Sequence, residues 1–197
     1  WEDRIAVTLT TTTNMGSSTS LANRWSDPVN SDPVTDIFTG FESIRQVTGK
    51  EPNTVILSGV AWNNLRRHPE IIDFIRGKGD TRGGGTVSAD QVASAFFPTG
   101  GKVLLGRGIK NTAAEDAPAT YTDIWSSACV LLHVAPNPGR MVPSHGYTFQ
   151  WRPGGMAAPF AVQRYENRRE ATESIEVLHF QDERVTASEL GYLIVNC

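Results

Sequence analysis

The last third of the chain most narrows its fold. From Gly146 it reads Gly-Tyr-Thr-Phe-Gln-Trp, then passes through Val162-Gln163-Arg164-Tyr165 and Glu173-Ser174-Ile175-Glu176-Val177-Leu178. It closes on Leu190-Gly191-Tyr192-Leu193-Ile194-Val195-Asn196. β-branched and aromatic residues at alternating positions predict strands. None of these strands runs into a catalytic signature loop. The earlier chain supplies helices, so the expected class is α+β.

The helical part begins with Ile5 and Leu9 at i, i+4 and Trp1 one turn earlier, the last turns of a helix. Thr10 to Thr13 stop it, because β-branching and competing hydroxyls disfavour helix. Asn14 to Asn30 reads as a polar loop. Ser31-Asp32-Pro33 is a helix start, with a capping side chain followed by proline at the first turn. Val34, Ile37, Phe38, Phe41, Ile44 and Val47 then form one apolar stripe. Gly49 ends it, and Gly40 within it suits close packing.

Asn53 to Leu57 is a predicted strand, and Ser58 caps the next helix, with Trp62 and Leu65 facing inward. His68-Pro69 interrupts that helix, which resumes at Glu70 and stops at Gly77. Lys78 to Thr86, with Gly83-Gly84-Gly85, reads as a loop. Ser88 caps a short helix through Phe96. Strands follow at Lys102 to Leu105 and within Ile124 to Val134. The prolines at 136, 138 and 143 stiffen a turn region.

The 197 residues suffice for one large domain or two small ones sharing a core. A net charge of −3 argues against a dedicated nucleic-acid binder and sequence-specific nucleic-acid contact. No stretch has the length of a membrane span. The basic residues are mainly Arg, which suits fixed ion pairs at interfaces. Cys129 lies in an apolar run and Cys197 is terminal, so no disulfide framework is expected and a reducing cytosol is the default.

Gly106-Arg107-Gly108-Ile109-Lys110-Asn111 follows a strand, but Asn111 replaces the third glycine of a dinucleotide loop and no long helix follows. Gly100-Gly101-Lys102 lacks the hydroxyl after the lysine that a phosphate loop needs. Cys129 and His133 share a strand face, yet two ligands do not make a zinc site. His179 alternates with Ile175 and Val177 like a strand-face residue. Ser144-His145 are neighbours that point differently, so adjacency makes no dyad. Glu115-Asp116 and Asp182-Glu183 read as solvated. No catalytic residue, cofactor or metal is expected.

Several short runs then matter through their order. They are Trp25-Ser26-Asp27, Asp36-Ile37-Phe38 to Gly49, Pro52 to Ser58, Trp62-Asn63-Asn64-Leu65 and His68-Pro69-Glu70-Ile71. Val103-Leu104-Leu105-Gly106, Asn111-Thr112-Ala113, Ile124-Trp125, Pro143-Ser144, Gly146-Tyr147-Thr148-Phe149 and Leu190-Gly191-Tyr192-Leu193 follow. In this order the chain resembles the major capsid proteins of tailed bacteriophages, with the Hong Kong 97-type fold, over essentially its whole length. The resemblance implies an axial domain plus part of a peripheral domain. Residues 1–14 would end the peripheral spine helix, 15–160 form the axial domain, 161–185 supply peripheral strands, and 186–197 rejoin the axial sheet. The family's N-terminal arm and extended loop would lie upstream, making this chain a truncated subunit.

The implied function is a structural, non-enzymatic subunit of a phage or prophage icosahedral capsid, assembled in the host cytoplasm and resident in the virion. Its partners would be other copies of itself, with portal, scaffold or maturation protease as further ones, and no membrane. Mixed charges at Lys78, Asp80, Arg82, Glu166, Arg168 and Glu170 are the candidate subunit contacts. Some family members form a Lys–Asn crosslink; no such pair is placed here. The alternatives are an encapsulin-like shell subunit, a connector or tail structural protein, and a hydrolase using His145 or His133.

Overall fold

The computed structural model describes residues 2–77, 85–152, 160–167 and 172–197. These form two compact units, Trp1–His145 with Ala187–Cys197, and Gly146–Thr186.

The first unit is built on a five-stranded mixed sheet in the order β1-β11-β6-β2-β3. Its strands are β1 (Ser17–Ser20), β2 (Thr54–Ser58), β3 (Lys102–Gly106), β6 (Ala128–Leu132) and β11 (Gly191–Val195). The short hairpin β4 (Ile109–Asn111) and β5 (Tyr121–Asp123) branches from the same unit. Central β6 is Ala-Cys-Val-Leu-Leu, and all five residues are buried. Alternation sends Cys129 and Leu131 to one face and Ala128, Val130 and Leu132 to the other. A strand flanked by partners and covered on both faces must be apolar throughout, which is why this run shows no polar alternation.

One face is covered by α2 (Pro33–Thr48), α3 (Gly59–Leu65), α4 (Pro69–Arg76) and α5 (Ala89–Phe96), through Ile37, Ile44, Trp62, Leu65, Ile71 and Phe96. On the other face Met15, and Leu9 of α1 (Glu2–Thr10), pack on Val130 and Leu193.

The helix starts follow the sequence chemistry. Asp32 accepts from the Thr35 amide at 2.9 Å, and Gly49 closes α2 at φ +66°. Ser58 is fully buried and accepts from the amides of Ala61 at 3.1 Å and Ala128 at 3.3 Å, so one hydroxyl caps α3 and ties β2 to the start of β6. Ser88 and Gln91 form a capping box on α5.

Two differences from the sequence reading have physical causes. The polar loop expected over Asn14–Asn30 contains β1. Its four residues are all exposed, and it is held by parallel backbone pairing to β11, which hydrophobic periodicity does not report. The β4–β5 hairpin is likewise short and exposed, organised by Asn111, whose side chain accepts from the amides of Ala113 and Thr120 at 3.0 Å each.

The second unit contains two antiparallel ribbons. β7 (Gly146–Gln150) pairs with β10 (Gln181–Val185), and β8 (Phe160–Asn167) pairs with β9 (Thr172–His179).

Gly40 sets the approach of α2 to the sheet. A Cβ there would lie 2.9 Å from Tyr192 Cδ1 and closer still to Leu131 Cδ1. Alanine would gain about 1 kcal/mol in helix propensity but force overpacking that costs about 1–3 kcal/mol. Gly40→Ala should therefore lower the urea unfolding midpoint; a raised midpoint would contradict this packing.

Candidate subunit interface and buried polar groups

Of the six residues expected at subunit contacts, Lys78, Asp80, Arg82, Arg168 and Glu170 lie outside the described residues. Glu166 is described: it is exposed on β8, directly opposite Glu173. Like charges facing across a ribbon repel. Arg164, whose Nε is 3.6 Å from Glu173 Oε1, relieves this only weakly, because both side chains are more than half exposed. The same face carries Phe160, Val162, Ile175 and Val177, all more than half exposed. His179, exposed at the other end of β9, stacks edge-on to Phe160 with centroids 6.2 Å apart.

The glycine motifs have structural occupations. Trp125 lies flat over Gly106, where a Cβ would come within 2.5 Å of its ring. The Trp125 Nε1 donates to Glu2 at 2.9 Å, and that carboxylate sits over Gly108. Lys110 reaches Asp3 at 2.8 Å. The pair of glycines thus makes room for the start of α1, where a dinucleotide loop would need open space. Gly100, at φ +98°, turns the chain, and Gly101 is packed against Phe97.

His68 and His145 are both 2 % exposed. His68 Nδ1 accepts from the Glu70 amide at 3.3 Å, capping α4. Its Nε2 therefore carries the proton and donates to Ser31 Oγ at 3.0 Å, and the Ser31 hydroxyl in turn donates to the Asp27 carbonyl at 2.5 Å. His68-Pro69 in the sequence predicts a helix break, and the capping role of the imidazole is an addition from the structure. Burial pushes the His68 pKa below its ordinary value, against smaller opposing effects of Asp27 and Asp32. Burial lowers His145 in the same way. Its ring and the Met15 sulfur both lie over Gly191, whereas the Ser144 hydroxyl accepts from the Ala135 amide at 3.2 Å.

Cys129 and Cys197 are free and buried. Burial raises the Cys129 thiol well above its usual range and pushes Cys197 up to about 12, so both stay protonated and poorly nucleophilic. Partly buried His133 binds the Glu51 carbonyl at 2.7 Å. Among the described residues no group of three or more His, Cys, Asp and Glu could hold a metal ion, and no helix is long and apolar enough to cross a membrane.

A groove not expected from the sequence lies on the helical side. It holds about 560 Å³ and is lined by Phe38, Phe41, Phe96 and Phe97, with Glu42, Arg45 and Glu51 among its remaining residues. The available signal was the width of the α2 stripe: with Ile37 and Ile44 facing the core, Phe38 and Val47 fall at its edges and are 43 % and 70 % exposed.

The two lowered histidine pKa values set a sign for acid stability. The unfolded chain binds those protons first, so stability falls as pH drops from about 6.5, the unfolded histidine value, towards the lower folded values. The urea midpoint should decrease between pH 7.5 and 5.5. His68→Asn, which keeps a capping acceptor, should flatten part of that decrease; an unchanged slope would show that His68 is not responsible.

No family model matches the chain. Over 125 residues it is 31 % identical to the major capsid protein of Burkholderia phage BcepMu, a stretch covering 61 % of this chain and 38 % of that protein. The chain thus spans well under half of this curated relative. Among solved structures, a phage-related protein from Bordetella bronchiseptica RB50 matches at TM-score 0.77 and 23 % identity, covering 98 % of this chain and 61 % of that one. The putative capsid protein of an Escherichia coli CFT073 prophage matches at TM-score 0.53 and 14 % identity, covering 89 % and 51 %. The SrpI encapsulin of Synechococcus elongatus PCC 7942 matches at TM-score 0.52 and 16 % identity, covering 99 % and 60 %. The α+β order read from the sequence is therefore the fold of phage capsid-type structures, and over most of its length the chain is similar in sequence to a phage major capsid protein.

Proposed function

We propose that this chain is a structural subunit of a phage or prophage icosahedral capsid, self-assembling into capsomers that enclose the genome. The observation that carries the reading is the 31 % identity to a phage major capsid protein over 125 residues, on a chain with the capsid-type fold. The role is architectural and not catalytic. The buried thiols are held protonated, the buried imidazoles are engaged in packing and capping, and the glycine loops are filled by side chains.

In this reading residues 15–160 form the axial domain, apart from 146–150, which pair with 181–185 in the second unit; 161–185 supply peripheral strands, and 186–197 rejoin the axial sheet. The insertion of β11 between β1 and β6 supports the last assignment. The partners are further copies of the chain, with portal, scaffold and maturation protease as candidates, and the place of residence is the virion. Glu166, with Lys78, Asp80, Arg82, Arg168 and Glu170, supplies polar subunit contacts, each weak and made effective by repetition. A net charge of −3 keeps such a lining from adhering to packaged DNA.

A shell that stores protein cargo is the second reading, favoured by the encapsulin likeness. That likeness concerns the fold, whereas the sequence match is to a phage protein, so the capsid reading stands first. Light scattering on the purified gene product should give a mass that is a high multiple of the subunit. A monomer at every concentration would contradict assembly, and a co-purifying enzyme inside the particles would favour the storage shell.

A further inference from the structure

The groove on the helical face has a matching knob on the same unit. Phe41 and Phe97 stack at 5.2 Å and Phe38 meets Phe96 at 5.4 Å, so the groove floor is aromatic and preformed. Of its ionisable lining residues, Glu42 holds Arg45 through two hydrogen bonds of 2.8 and 2.6 Å, which leaves the charge of Glu51 as the surplus.

The knob is the loop that follows β6. Met141 is 94 % exposed and Val142 is 41 % exposed, so neither sits in the groove of its own chain. Pro136, Pro138 and Pro143 stiffen the loop, and a turn bond from the Val142 amide to the Gly139 carbonyl at 3.2 Å holds its tip. With the loop backbone held, docking costs mainly the rotamer freedom of the Met141 side chain, and its thioether has favourable contacts with aromatic rings. Arg140 is the one charged residue of the loop and complements Glu51.

The geometry points to a head-to-tail contact in which Arg140-Met141-Val142 of one copy enters the Phe38–Phe97 groove of the next. Knob and groove are different surfaces, so the contact is heterologous: repeated, it closes into a ring or continues as a chain. The inference rests on the self-assembly proposed above and adds which surfaces meet.

Cysteine crosslinking in the purified gene product tests it. Thr99 is exposed in the groove lining, and the native thiols are buried. With a short bis-maleimide, Met141→Cys/Thr99→Cys in one chain should give a ladder of oligomers. A mixture of the two single variants should give dimers, and each single variant alone should give neither. Particles that form without crosslinking above a Met141→Cys/Ser18→Cys control, with the second cysteine on exposed β1 outside the groove lining, would overturn this contact and leave the capsid reading standing. Absence of both particles and crosslinks would overturn both. Independently, Met141→Asp should raise the concentration needed for assembly by about tenfold or more, through burial of an unpaired carboxylate, while Met141→Leu should not. Normal assembly of Met141→Asp would also overturn the contact.

Discussion

Everything in the larger unit depends on the insertion of the last strand beside β6. The pairs Ile194↔Cys129 and Val130↔Ile56 join the end, middle and early part of the chain in one ladder. Both faces of that ladder then need cover, which α2 to α5 provide on one side and α1 with Met15 on the other. Removing β11 would leave β1 without its partner and expose β6 along an edge. Such long-range pairing delays the return on chain-closure entropy, so the sheet is expected to be late in folding.

Local features serve that ladder. Ser58, at the end of β2, accepts from the Ala61 amide of α3 and the Ala128 amide that starts β6, so one hydroxyl fixes both against the strand. The Asn53 side chain does the same at the opposite end, donating to the Val134 carbonyl at 2.7 Å and accepting from its amide at 2.9 Å. Gly40 lets α2 settle on Leu131 and Tyr192. Gly106 and Gly108 make the hollow that Trp125 and Glu2 fill.

The elements legible in the sequence were those with a strong local signal. α2 was legible from its cap, proline, apolar stripe and glycine stop, and β6 and β11 from unbroken apolar runs. β1 was not, because Ser-Ser-Thr-Ser has no apolar pattern and pairs only through its backbone. The cap made by His68 was hidden because an imidazole acceptor is not among the usual capping residues. The aromatic groove was hidden in a stripe that looked wholly internal: Phe38 and Phe41 differ in depth only once α4 and α5 are placed against them. Glu166 was placed by its strand, whereas the other five expected contact residues fall outside the described segments.

The central claim is that this chain builds a shell, and negative-stain electron microscopy of the purified gene product tests it most directly. The account predicts closed shells, or rings of six and five subunits. Small monodisperse particles that persist at high concentration would contradict it.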